Sequence, residues 1–234
     1  MSKLKNSIKS LTSTNREEPP DYHPFDPPLT GLELNGYKNT TKHRLLHKEL
    51  AEDLRLHLPA RLQVTHNWNL LYSLEQDGIS LNTLYKKMRP LPSEINKRYG
   101  YLLVIRDSYH NVFGAYVSDY LRPIERKQYY GNGECFLWKA EKDTVPNLVD
   151  LGQHEQLDVQ YRLKVFPYTS LNDFIIYTNY NSVSIGSGDG KFGLWIDGDL
   201  DKGASDPVDT FGNEKLSDES TFRIFGLEVW RIGI

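Results

Sequence analysis

The sequence predicts an α+β protein that is mainly β, a two-sheet antiparallel sandwich edged by short helices. Short runs rich in β-branched and aromatic residues follow one another from residue 101 onward, with no helical stretch between them. Glycine-rich turn signals separate those runs, and within the folded part helical periodicity is confined to residues 40–88. With 234 residues, 38% hydrophobic and 12% aromatic, the chain can bury one sizeable core.

The elements can be justified in order. Residues 1–16 carry Lys3, Lys5, Lys9 and Arg16 without an acid, and Leu4, Ile8 and Leu11 recur at helical spacing. That pattern reads as a solvated tail, a partner-binding arm or a mitochondrial presequence. Residues 19–31 hold five prolines, which favour an extended arm. The reading is therefore an N-terminal arm over residues 1–39 and a folded domain over residues 40–234. Thr40 or Thr41 can cap a helix in which Leu46, Leu50, Leu54 and Leu58 repeat every four residues until Pro59 stops it. Residues 67–73 alternate as a half-buried strand, and Ser80 can cap a short helix that puts Leu81, Leu84, Tyr85 and Met88 on one side.

The strand candidates that follow are residues 101–107, 112–118, 133–139, 162–166, 174–178, 182–186, 192–196 and 222–233. In the last of these, Phe222 and Ile224 share one face, and Leu227 and Val229 continue the pattern one residue out of phase. A bulge at Gly226 would restore the register. Residues 141–160 are polar and aperiodic, the pattern of a surface insertion.

Residues 183–213 hold seven glycines and are the richest stretch in apparent motifs. Gly188-Asp189-Gly190 lies between two apolar runs and reads as a tight hairpin. A P-loop fails there, because Ile185 stands where its first glycine belongs and Phe192 where it needs Ser or Thr. Gly188, Gly190 and Gly193 match a dinucleotide fingerprint, but the strand-like FGLWI follows where a helix is needed. Asp197, Asp199 and Asp201 have EF-hand spacing, yet Lys202 occupies position six and Val208 position twelve, so an aspartate-rich turn is the better reading. No Gly-x-Ser-x-Gly elbow occurs anywhere. His43 and His47 have the i, i+4 spacing of metal ligands, with His57 on the same expected face, but no further ligand completes a set and a solvated face is favoured.

Charge and cysteine usage narrow the classes further. The net charge of −3, with signs interspersed, gives no basic field for nucleic acid. No apolar run approaches the ~20 residues that span a bilayer, so the chain reads as soluble. The lone Cys135 excludes an intramolecular disulfide framework and fits a reducing compartment. Alternation places Cys135 with Leu137 on an apolar strand face, where a thiol is buried and slow to oxidise. Glu134 and Glu228 also sit in apolar strands, where a carboxylate is costly unless donors hold it. General acid chemistry would use such a group. The favoured reading is that each accepts backbone amides from a glycine-rich turn, such as residues 131–133. The expectation is no catalytic, cofactor or metal residue, and so no enzyme.

The motifs LLYSLEQDGISLNTLY, LLVIRDSYHNVFGAYVSD, YGNGECFLW, SGDGKFGLWIDGDLDKGASDPVDTFGN and FRIFGLEVWRIG together resemble the TLDc domain family, in family order over residues 40–234. In its small size the chain is similar to that family's fungal oxidation resistance members. The resemblance implies the two-sheet sandwich, protection against oxidative stress, and binding to V1, the peripheral sector of the vacuolar proton-pumping ATPase (V-ATPase), with disassembly of that pump. It implies a cytoplasmic protein, monomeric when free, recruited to the vacuolar surface, with a mitochondrial pool if residues 1–16 act as a presequence. Relatives often carry cysteine in the segment after Gly203-Ala204-Ser205, where this chain has Val208, so no thiol role carries over there. The competing class is an enzyme or direct oxidant scavenger using Cys135.

Overall fold

A computed structural model describes residues 29–143 and 160–233 of the chain. Most of the expected arm and of the 141–160 insertion lies outside the described residues. Two sheets pack face to face. The first runs β1 (Glu33–Asn35), β2 (Asn67–Ser73), β11 (Thr221–Ile232), β3 (Gly100–Asp107), β4 (Val112–Val117), β5 (Phe136–Asp143) and β6 (Gln160–Pro167). In the second, β11 is followed by β10 (Lys202–Ala204), β9 (Lys191–Asp197), β8 (Ser182–Gly188) and β7 (Ile176–Thr178). All pairings among these strands are antiparallel except β1 with β2, which is parallel.

Strand β11 joins the two sheets. Its first residues, Thr221 to Arg223, pair with β10, and from Ile224 onward it pairs with β3. The register slips between Ile224 and Gly226, the bulge expected from the shifted apolar pattern. Phe225 is the extra residue, and its ring projects into solvent. The bulge keeps Phe222, Ile224, Leu227 and Val229 together in the core between the sheets.

A second core lies on the outer face of the first sheet. There Trp68, Leu102, Val104, Trp138 and Trp230 meet helix α1 (Lys48–Arg55) and the short α2 (Ala60–Gln63). The first sheet is therefore buried on both faces, and α1 covers one of those faces as well as edging the sandwich. Helices α3 (Leu74–Asp77) and α4 (Leu81–Met88) close one end. The Ser80 hydroxyl caps α4 by accepting from the Thr83 amide at 3.2 Å.

Helix α1 starts later than its leucine repeat suggests. His47 is its N-cap, in extended conformation, and residues up to His47 form a non-helical strap. The physical reason is competition for donors. The amides of Lys42 and His43 are held by the Glu75 carboxylate, and those of Leu45 and Leu46 by Glu228. A four-residue leucine spacing cannot tell a helix from a strap whose donors are taken by distant side chains.

Candidate functional site

The most heavily bonded buried acid is Glu228, on β11. Its residue is 1% exposed, and four donors converge on it. Leu45 N donates to Oε1 at 3.0 Å, while Oε2 accepts from Tyr37 Oη at 2.8 Å, Trp230 Nε1 at 3.0 Å and Leu46 N at 3.3 Å. Three of these donors belong to the strap, some 180 residues away in sequence, so the carboxylate works as a latch. Tyr37 is packed edge-on against Trp230 at 5.2 Å, and the Arg44 guanidinium lies 4.8 Å over its ring. Burial raises the Glu228 carboxyl above its ordinary value despite its four donors, and burial followed by the adjacent carboxylate raises Tyr37 strongly.

Other side chains fasten the same strap. Glu52 accepts from Leu32 N at 2.7 Å, Gln76 accepts from Lys38 N at 3.0 Å, and the buried Arg55 donates to the Thr30 carbonyl at 2.6 Å. Leu32 is buried, so residues 29–39 of the expected arm lie against the domain and contribute β1.

Glu134 behaves differently from expectation. It precedes β5, its side chain is about one-third exposed, and it forms a two-pronged pair with Arg61 of α2, the Nη2 to Oε2 arm being 2.7 Å. The carboxylate takes no amide from the Gly131–Gly133 turn, because the planar guanidinium beside it offers both donors at once. The hydrogen bond to Glu134 is the main cause that raises the Arg61 pKa. Glu134 and Glu228 share no partner, so the paired-acid arrangement that general acid and base chemistry uses is not formed between them.

Cys135 is 1% exposed, and its sulfur lies 3.4 Å from both the amide and the hydroxyl of Ser118. Burial pushes the thiol up, away from the reactive thiolate. In the aspartate-rich turn, Asp197 accepts from the amides of Asp201 and Lys202, while Asp201 pairs with Arg223 at 2.6 Å. His43, His47 and His57 are exposed, and among the described residues no three His, Cys, Asp or Glu side chains are grouped to hold a metal. The Gly188 hairpin is a two-residue turn in which Asp189 and Gly190 have φ of 51° and 74° and Gly188 pairs with Lys191.

Sequence reasoning missed Tyr37, Arg55 and Asp107 as structural anchors. Asp107 is fully buried and accepts from the amides of Tyr109 and Asn111 and from the Ser217 hydroxyl. The Asp-Ser-Tyr-His-Asn turn that follows β3 carried a usable signal for it. Tyr37 and Arg55 are fixed by long-range partners and carried no local signal.

The fold and these residues define a two-sheet sandwich protein in which Glu228 holds a strap, Glu134 pairs with Arg61, Asp197 closes a turn and Cys135 is buried. The family model of the TLDc domain matches residues 39–233, and the chain belongs to that family. It is similar to Oxidation resistance protein 1 of Kluyveromyces lactis, at 45% identity over 96% of this chain and 90% of the relative. It is also similar to the proteins of that name in Debaryomyces hansenii (43%, covering 88% of this chain and 76% of the relative) and Saccharomyces cerevisiae (43%, 88% and 79%). Among the described residues no helix is long and apolar enough to cross a membrane.

Proposed function

We propose that this chain is a non-catalytic interaction protein of oxidative stress resistance. In this reading it binds the V1 sector of the vacuolar proton-pumping ATPase and regulates its assembly, promoting disassembly. The observation that carries the non-catalytic reading is the commitment of the two strand carboxylates, the lone thiol and the first aspartate of the acidic turn. Glu228 is satisfied by four donors, Glu134 by Arg61, Cys135 is buried against Ser118, and Asp197 closes its own turn. The stress role is supported by family membership and the relatives' name, and V1 docking by the family resemblance. In this reading the protein is cytoplasmic and reaches the vacuolar surface through the pump. Residues 1–39 act as a partner arm whose root, residues 29–39, is packed on the domain.

The test uses full-length protein and purified V1 on a biosensor, with ATP hydrolysis by pump-bearing vesicles followed in parallel. Saturable binding with loss of hydrolysis is expected, together with no consumption of peroxide by the protein alone. Absence of V1 binding would refute the docking reading, and steady peroxide turnover that Cys135→Ser abolishes would replace it with the scavenger.

A further inference from the structure

The whole chain is acidic, yet residues 86–98 are not. That piece carries Lys86, Lys87, Arg89, Lys97 and Arg98 against Glu94 alone, so its charge is 5 − 1 = +4 in a chain of net −3. Glu94 is held by the Leu91 amide, Tyr99 Oη and Arg231 Nη1, which donates to both its oxygens, so most of its charge is matched by Arg231 and only Lys97 of the basic run acts on it. Lys87 pairs with Asp77. Among the described residues Lys86, Arg89, Lys97 and Arg98 have no acidic side chain within ion-pair distance.

The same piece exposes two large aliphatic side chains, Leu91 at 62% and Ile95 at 68%, on either side of the 3-10 turn Pro92–Glu94. Their exposure comes from a fixed backbone. Glu94 N donates to Leu91 O at 2.8 Å, Lys97 N to Glu94 O at 2.9 Å, and the Arg231 guanidinium stacks 4.6 Å over Tyr99 at the base. Pro90 and Pro92 restrict the flanks further. Beside the turn is an open hollow of about 520 Å³ whose rim includes Arg61, Lys97 and Arg98. Its two acids, Asp119 and Glu134, are already paired with Arg122 and Arg61.

We propose that residues 86–98 form a membrane-contact surface for an anionic phospholipid bilayer, with Leu91 and Ile95 entering the acyl boundary and Arg89, Lys97 and Arg98 lying among the headgroups. Two aliphatic side chains held outward on a rigid turn lose no further backbone freedom on insertion. Flanking lysines and arginines keep their charge at headgroup level while their stems cover apolar surface. Arg89, Lys97 and Arg98, with Lys86 on the preceding helix, supply the second signal that stable surface binding needs. This inference does not depend on V1 docking.

The experiment is co-sedimentation of the full chain with phosphatidylcholine vesicles, with and without phosphatidylserine. Expected is phosphatidylserine-dependent binding that weakens as salt rises. Leu91→Ser with Ile95→Ser should lower the partition coefficient by at least about tenfold, and Lys97→Glu with Arg98→Glu, a change of four charges, by at least about a hundredfold at low salt. All four side chains are exposed, so both double variants should melt as the parent does. No binding, or equal binding without phosphatidylserine, overturns the proposal. So does binding untouched by either pair, which would place the contact elsewhere, such as in the basic residues 1–16. Loss of V1 capture in variants that bind vesicles normally would also overturn it and make this a protein-docking face.

Discussion

Replacing Glu228 by Gln tests the latch directly, because the change keeps the side chain's shape and removes its charge. Glutamine has one acceptor oxygen where the carboxylate has two. With that oxygen in the Oε2 place it can still receive Tyr37, Trp230 and Leu46, but its NH₂ then faces the Leu45 N–H. Two buried donors are left opposed, at about 1–3 kcal/mol each. Relief from holding a buried charge returns part of that, so the net loss should be about 2–3 kcal/mol at neutral pH. For a domain of this size that lowers Tm by roughly 5–10 °C. The pH dependence has a definite sign. The folded pKa is raised, so the folded state binds the proton more readily than the unfolded chain. The stability linked to this titration is fully present below the unfolded value and is lost as pH rises through the folded one. The Glu228→Gln variant has no such titration, so the gap between parent and variant should be wider at mildly acid pH than at neutral pH. Urea unfolding of both proteins across that interval reads it. Tyr37, Arg44, His43, Glu75 and Arg106 face the same region, and the parent-minus-variant difference removes most of their own titration. A variant as stable as the parent at neutral pH would refute the latch, and a gap that widens toward alkaline pH would refute the claim that burial outweighs the four donors.

The glycine-rich hairpin should separate space from backbone conformation: Gly190→Ala, with φ of +74° and open surroundings, should cost about 1 kcal/mol in chemical denaturation, whereas Gly114→Ala, whose Cβ would overlap the Leu103 carbonyl, should not give folded protein. Gly188→Ala has neither problem and should stay within about 0.5 kcal/mol of the parent. The Cys135 thiol should react with a chromogenic disulfide at least a hundredfold more slowly in the folded than in the unfolded chain, a ratio that a kinetic trace measures; Cys135→Ser should retain stress protection in cells. Deleting residues 1–38 removes Leu32, β1 and Tyr37 and should lower the melting temperature by several degrees in calorimetry, at roughly 2–4 °C per kcal/mol.

The sandwich was legible because its strands carry their own signals. The alternation in residues 101–107 and 222–233 marks both the faces and the bulge, and Asp189-Gly190 supplies a turn that φ alone dictates. Ser80 announced α4 for the same local reason. What stayed hidden depends on distant partners. β1 is three polar-flanked residues whose identity as a strand comes from pairing with β2, and β10 exists between β9 and β11 without an apolar pattern of its own. Glu134 and Glu228 looked alike in sequence, each within an apolar run. One is claimed by a helix residue 73 positions away and the other by a strap more than 180 positions away, and no local pattern distinguishes them. Cys135 was readable because burial on a strand face follows from alternation alone.

The placement of β11 sets the order in which the protein can form. Of the described strands it is the latest to be synthesised, yet it lies between β2 and β3 in one sheet and starts the other by pairing with β10. Until it emerges from the ribosome, the hairpins β3–β4, β5–β6 and β8–β9 have local partners only, and β2 and β10 each wait with an open edge. Closure must then join segments separated by more than a hundred residues, a slow step in which exposed edges invite association with other chains. The sandwich should therefore appear late and nearly all at once, and a nascent chain stalled before residue 221 should remain protease-sensitive throughout and depend on chaperones to stay soluble.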